Sequence, residues 1–407
     1  MSRIDLIKTF VYAVSATMLA LCFMLFPKEA YEASVRGMTV WWEVVFPSLL
    51  PFFILSDFLI RFGVVSFIGA LFEPFMRPLF RVPGSGGFVW AMGLASGFPS
   101  GAKFTSRLWE EGHLTRFEGE RLVSFSNASN PLFIFGAIAV GFFQNAALGL
   151  LLATSHYCGN LIVGFVMRFH GSKQEKYDSK HTKPLSINKA VQKMHQDRMN
   201  QHEPFGKMMG DAVHSSIQTL LMIGGFMIFF SVLSQILELI HFSMIFRFFI
   251  SIILNWAEMP KELSPGIIAG LFEITIGSQR ISDVTNASLL EQTVITSFIL
   301  AFNGFSVQAQ VASILAKTEI RFFPFFIARC LHGTFSAILT FMLFKPLYED
   351  RIDQQTLPTS NQLTAEPTMQ IFFVHMYEWF TMYGSYITII CLSGWIILSI
   401  NRKDESI

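Results

Sequence analysis

The sequence predicts an all-α polytopic membrane protein: two inverted repeats with broken or re-entrant helices, plus one flanking helix at each end. Three observations carry that prediction. Only 14% of the 407 residues are charged and 52% are hydrophobic, where an ordinary soluble domain is about 25% charged. Six uninterrupted apolar runs approach or exceed the length of a membrane span, which takes roughly 20 residues. Finally, a pattern of breaks in the first half recurs in the second at an offset of 177 residues.

Composition also excludes several classes. The 30 Lys and Arg against 29 Asp and Glu leave no strongly basic surface for nucleic acid. Cys22, Cys158, Cys330 and Cys391 all lie in apolar runs without a Cys-x-x-Cys pair, which argues against a disulfide framework or structural zinc. No Walker A or dinucleotide motif occurs, so no cofactor and no ATP coupling are expected.

The clean runs are 10–26, 40–60, 148–169, 213–239, 322–344 and 371–400. The first follows Arg3 and Lys8, but Pro27-Lys28-Glu29 offers no cleavage site, so it reads as a retained helix. Between the runs lie shorter pieces (64–72, 88–98, 125–142, 244–256, 267–276 and 294–314), several broken by Gly, Pro, Ser or Asn. Such backbone survives at membrane depth only when buried in protein or lining a cavity. The connector 170–209 holds eight Lys and Arg against four acids, whereas 345–369 holds two against four. The positive-inside rule makes the first cytoplasmic and the second external, with both termini in the cytoplasm. The stretch 103–121, with four Lys and Arg, is expected along the cytoplasmic surface.

These features divide the chain into a first helix and outer loop (1–39), repeat 1 (40–169), a basic connector (170–211), repeat 2 (212–344), an outer loop (345–369), and a last helix and tail (370–407). Gly93-Leu94 recurs as Gly270-Leu271, Lys103 as Arg280, and Asn127-Ala-Ser-Asn130 answers Asn303-Gly-Phe-Ser306. Repeat 1 runs inward and repeat 2 outward, so they relate by an axis in the membrane plane. Paired broken segments of this kind point to a transporter's central site.

Candidate binding residues follow from the breaks. Ser96, Gly97, Ser100 and Gly101 surround Pro99 and leave backbone N–H groups free at a half-helix start, which favours an anion. Lys103 and Arg280 supply positive charge; alone, each also reads as an anchor at opposite interfaces. Asn127, Ser129, Asn130, Ser278, Asn303 and Ser306 exceed what helix caps need and read as lining of a polar cavity. Glu273, an acid inside an apolar run, either pairs with Arg280, seven residues on and on the same helix face if the helix continues, or carries a coupling proton. Asp57 and Arg61 read as a local pair. Ser100-Gly-Ala-Lys103 also fits the Ser-x-x-Lys pattern of penicillin-recognising enzymes, but no Lys-Thr-Gly element accompanies it; a non-enzyme is expected.

The segments Gly93-Leu-Ala-Ser-Gly-Phe-Pro-Ser-Gly-Ala-Lys103 and Ser126-Asn-Ala-Ser-Asn-Pro131 resemble the YlbJ-type sporulation integral membrane proteins, within the wider group carrying a nucleoside-recognition or Gate domain. The resemblance covers nearly the whole chain. It implies a place in the outer forespore membrane and a part in passing dipicolinic acid toward the forespore, for spore core and cortex maturation. It also implies other sporulation membrane proteins as partners, beside the small anionic solute and membrane lipid, with Phe98 and Phe305 as candidates to stack on the solute's ring. A non-transporting scaffold for cortex assembly, dependent on the basic connector, and a nucleoside-type transporter stand as alternatives.

Overall fold

The computed structural model describes residues 3–171, 187–199, 203–351 and 383, and every regular element among them is helical. The chain begins with α1 (Arg3–Leu25) and α2 (Pro27–Val40), and α2 runs through Trp41–Val45 into α3 (Phe46–Arg61). Gly63, with a left-handed φ of 73°, then turns the chain 82° into α4 (Val64–Phe80). There follow α5 (Ser85–Ser96), α6 (Ser100–Glu110), α7 (Arg116–Ser126), the π-helical segment Phe133–Phe142, and α8 (Leu148–Met167). Helix α9 (Ile187–Met199) belongs to the connector. The second half comprises α10 (Phe205–Leu239), α11 (Ser243–Trp256), α12 (Ser264–Phe272), α13 (Ile274–Ser282), α14 (Leu289–Phe302), α15 (Gly304–Leu315) and α16 (Phe322–Phe344).

Among the described residues, five helical stretches are long and apolar enough to cross a membrane, and the bent α3–α4 pair makes a sixth candidate. The stretch 289–315 is one of the five although Asn303 interrupts it. Large apolar side chains such as Phe10, Met24, Phe248, Ile253 and Trp256 are exposed, as lipid-facing positions must be. The expected last helix, 371–400, lies outside the described residues apart from Tyr383.

The halves match element for element: α3 to α8, with the π-segment, answer α10 to α16. Their cross-packing matches too. Helix α6 packs on α15 as α13 packs on the π-segment, and α7 packs on α16 as α14 packs on α8. Two pairs fix the relation. In α8 and α16, His156 lies beside His332, Ser155 beside Ser336, and Val163 beside Ala328. In the second pair, Ser231 of α10 donates to the Ala33 carbonyl (2.7 Å), Trp41 donates to the Leu220 carbonyl (2.9 Å), and Arg61 meets Glu203 (3.1 Å). Residue numbers rise on one helix as they fall on the other, so equivalent helices run antiparallel. Because α8 and α10 are long enough to span, the two-fold axis relating the halves lies in the membrane plane. The repeats are inverted.

The stretch 103–121 departs from expectation. Apart from the exposed turn around Glu111–His113, α6 and α7 are folded into the body, and Glu118 through Ser126 are all buried. Its cations find partners there: Arg107 pairs with Asp57 and Glu111, and Arg116 with Glu120. Paired charges of this kind are tolerated inside, so the amphipathic pattern marks packing faces instead of a membrane-surface helix.

Candidate functional site at the meeting of the broken helices

Each half contributes two interruptions. Helix α5 stops where Gly97 (φ 85°) donates to the Gly93 carbonyl at 2.8 Å, and α6 restarts after Pro99. Helix α7 stops at Ser126, after which Asn130 caps the next turn by accepting from Phe133 N–H (2.7 Å) while its amide donates to the Ser96 carbonyl (3.0 Å). In the second half α12 breaks at Glu273, whose backbone is extended. Its carboxylate caps α13 by accepting from Ile276 N–H (2.9 Å) and the Thr275 hydroxyl (2.7 Å). Helix α14 ends on Asn303 in the left-handed conformation (φ 73°).

These breaks converge on a cavity of about 350 Å³, within the usual range of small-molecule sites. Ser96, Gly97, Ser129 and Asn130 line it from the first half; Glu273, Thr275, Ser306 and Gln310 line it from the second. Val45, Leu49, Ile223 and Met227 supply apolar wall. A second space of about 300 Å³ adjoins it, sharing Val40, Met227, Glu273 and Thr275 and reaching Arg36 and Gln279. Glu273 therefore stands where the two spaces meet. Ser96, Ser129 and Ser306 hydroxyls and the Gln310 amide nitrogen are buried without a hydrogen-bond partner among the described residues. An unpaired buried polar group costs about 1–3 kcal/mol, so a bound molecule that pairs with these groups gains correspondingly.

Of the residues singled out in the sequence, Ser96, Gly97, Ser129, Asn130, Glu273 and Ser306 reach this cavity. Others serve the framework. Gly101 packs on α7: a Cβ there would lie 2.3 Å from the Ser126 carbonyl oxygen. Asn127 and Asn303 meet across the two-fold, with Asn127 Nδ2 donating to the Asn303 side-chain oxygen at 3.1 Å. Ser100 and Ser278 are fully buried on α6 and α13 and lie outside the cavity lining. Phe98 lines the cavity, but Phe305 packs edge-on against Phe272 and Phe302.

Lys103 and Arg280 do not meet. Lys103 lines a separate chamber with Arg107 and Lys317, and Arg280 forms an ion pair with Glu238 at 2.8 Å. The inversion itself is the reason: equivalent side chains near the ends of inverted half-helices face opposite sides of the membrane. The anticipated Glu273–Arg280 pair is absent for a related reason, because the break turns Glu273 into a helix cap and leaves Arg280 to Glu238. Asp57 and Arg61 do pair, at 2.7 Å, with Arg107 also donating to Asp57.

The sequence reading passed over Arg329. It is fully buried in α16, donates to the Asn127 carbonyl (2.9 Å) and the Ser124 carbonyl, and contacts His332 Nδ1 at 3.0 Å. Cations favour helix C-terminal carbonyls, and here one locks repeat 2 onto the end of α7. His332 in turn donates through Nε2 to the His156 carbonyl (2.8 Å), and His156 Nε2 accepts from Ser129 N–H (3.0 Å). The available signal was an Arg and a His three residues apart in a run otherwise read as plain span.

The chain is 49% identical over 397 residues to the sporulation integral membrane protein YlbJ of Bacillus subtilis strain 168, covering 94% of this chain and 95% of that protein. The chain belongs to the YlbJ family. Within it, residues 42–173 match the family model Gate, described as nucleoside recognition, so that model covers the first of the two inverted repeats. An uncharacterised protein of Alkalihalophilus pseudofirmus is 31% identical over 124 residues, 30% of this chain and 26% of the other. No solved structure matches.

Proposed function

We propose that this chain is a secondary transporter acting during sporulation, which moves a small anionic metabolite across the outer forespore membrane with both termini in the mother-cell cytoplasm. Dipicolinic acid is the first candidate substrate, and spore core and cortex maturation the process served. The reading is of a carrier and not an enzyme. The observation that carries it is the convergence of four helix breaks, two from each inverted half, on one cavity. Half-helix ends beside unwound backbone at a repeat interface are the usual construction of a transporter's site. The family relation to a sporulation protein and the nucleoside-recognition model over repeat 1 support a small-molecule cargo in that setting.

Dipicolinate is a planar aromatic with two carboxylates. Apolar wall from Leu49, Ile223 and Met227 suits the ring, and Ser96, Ser129, Asn130, Ser306 and Gln310 offer donors to the carboxylates. An ionised Glu273 in the same space repels an anion, since like charges in low dielectric interact strongly. A protonated Glu273 removes that repulsion and donates a hydrogen bond. Substrate and proton therefore enter together in this reading.

The test is flux of labelled dipicolinate into liposomes holding the purified full-length chain, with a labelled nucleoside for comparison. Saturable dipicolinate uptake that rises with an inward proton gradient is expected. Glu273→Gln should keep the cap on α13, transport at a rate independent of the gradient, and so isolate the coupling. Nucleoside uptake without dipicolinate uptake would replace the substrate; no flux of either from folded protein would overturn the transporter reading in favour of a scaffold.

A further inference from the structure

A polar chamber lies beyond the central cavity and shares α10 and α15 with it. It measures about 470 Å³ and is lined from α6, α10 and α15 by Lys103, Thr219, Met222, Ser313 and Lys317, among others. The central cavity takes Ser96 to Phe98 just before α6, Ile223 of α10 and Gln310 of α15. On α10 the boundary falls between Met222 and Ile223; on α15 it falls between Gln310 and Ser313, about 4.5 Å of helical rise. On the chamber's side of this boundary the Ser313 hydroxyl reaches the Met222 sulfur at 3.6 Å, bridging α10 and α15.

Charge distinguishes the two spaces. No Lys or Arg lines the central cavity. In the second space Arg107 is engaged by Asp57 and Glu111, and Glu110 accepts from the Ser106 hydroxyl at 3.3 Å. Lys103 sits deeper, its ammonium 4.2 Å from the centre of the Phe53 ring; the Asp57 carboxylate acts on it electrostatically, but no hydrogen bond or ion pair joins it to any described residue. A cation–π contact leaves the ammonium's hydrogen-bonding capacity largely unused. A carboxylate is the group that fills it, through a charge-assisted hydrogen bond.

We propose that this chamber is a second binding station for a small carboxylate anion, with Lys103 as its charge and the Met222–Ser313 contact as the partition from the central cavity. The proposal rests on the reading above that a small anion is carried, and it adds that the anion pauses at a cationic site on one side only.

Lysine acylation tests it without requiring transport. The purified full-length chain is treated with a water-soluble amine acylating reagent, and modification of Lys103 is followed by mass spectrometry with dipicolinate, uncharged pyridine or a nucleoside present. Saturating dipicolinate should slow acylation of Lys103 at least tenfold, and the two uncharged compounds should leave it unchanged. Lys103→Gln should weaken dipicolinate binding about tenfold, the loss of one charge-assisted hydrogen bond, while Lys103→Arg retains it. An acylation rate indifferent to dipicolinate overturns the station, whatever the flux assay shows. Protection of Lys103 in protein that carries no flux would leave the station standing and remove the transporter reading instead.

Discussion

The two inverted halves follow one chain path and place charge differently. In the second half Glu238 meets Arg280 at 2.8 Å and Arg247 at 3.8 Å, so the cation at the end of its broken helix is neutralised where it stands. In the first half Asp57 is shared by Arg61 and Arg107, and Lys103 keeps an unspent charge. The breaks differ as well: three residues, Gly97-Phe98-Pro99, interrupt the first half, while a single acid, Glu273, interrupts the second. Side chains make the spaces beside the central cavity unequal: one holds Lys103, Arg107 and Lys317, and the other holds Arg36 beside the helix-capping Glu273. Under the proposed function, an anion would be handled differently from the two sides.

Disrupting the lock between the halves should have the largest effect. Arg329→Ala leaves the Ser124 and Asn127 carbonyls buried and unpaired, at about 1–3 kcal/mol each, and opens a cavity besides. A loss of roughly 3–5 kcal/mol is expected, seen as a large fall in the thermal unfolding midpoint in detergent. Arg280→Ala, at a half-exposed pair, should cost under about 1 kcal/mol. Equal losses would mean that the two halves are not held together through Arg329.

Next come tight glycine contacts with backbone, one taken from each half. A Cβ at Gly101 lies 2.3 Å from the Ser126 carbonyl oxygen, and one at Gly277 lies 2.1 Å from Gly270 Cα. Gly101→Ala and Gly277→Ala should each destabilise by about 1–3 kcal/mol through overpacking. Gly225→Ala, with no atom within 4 Å of its Cβ, should be neutral or slightly stabilising.

The junction between α7 and the start of α16, where the two halves meet, carries a pH signature. Burial raises the Glu120 carboxyl, but hydrogen bonds from Arg321, His170 and Arg116 outweigh it and hold the group at about 2 in place of 4.5. A carboxyl depressed by folding adds stability that is complete above its unfolded value and is lost as pH falls toward the folded one. Wild-type stability should therefore decline from about pH 4.5 down to about pH 2. Glu120→Gln should flatten that decline in a chemical-denaturation series across this range.

The smallest effect should be an equality. Thr115 with Glu118 opens α7 by a capping box, and Ser288 with Glu291 opens α14 the same way. Thr115→Ala and Ser288→Ala should each cost about 1 kcal/mol. A clear difference between them would show that one half bears more of the folding stability than the other.

Much of the site was readable because Gly, Pro and Asn act locally. Gly97 and Pro99, the run from Asn127 to Pro131, and Asn303 each mark a place where a helix stops, and all of them stop one. Glu273 was legible as an acid in an apolar run, but its duty as a cap depends on the backbone turning there. The role given to Lys103 and Arg280 as joint ligands failed because spacing along the chain says nothing about which way an inverted half faces. Arg329 stayed hidden because one cation barely lowers the hydropathy of a 23-residue helix. Its partners are backbone carbonyls 202 and 205 residues away, atoms that no side-chain pattern marks.

By itself, then, the sequence determined the membrane setting, four of the long spans within the described residues (10–26, 148–169, 213–239 and 322–344), the positions of the breaks and the doubling of the pattern. It missed 289–315 as a long span and read 40–60 as a span by itself, where 49–61 and 64–80 form a bent pair. Hydropathy, helical rise and the conformational preferences of single residues are properties of short segments. Tertiary structure decided which residues share a cavity, which charges pair, and that Arg280 meets a carboxylate at ion-pair distance while Lys103 does not. Those outcomes depend on a two-fold rotation that brings together side chains far apart in the chain and sends equivalent ones to opposite faces.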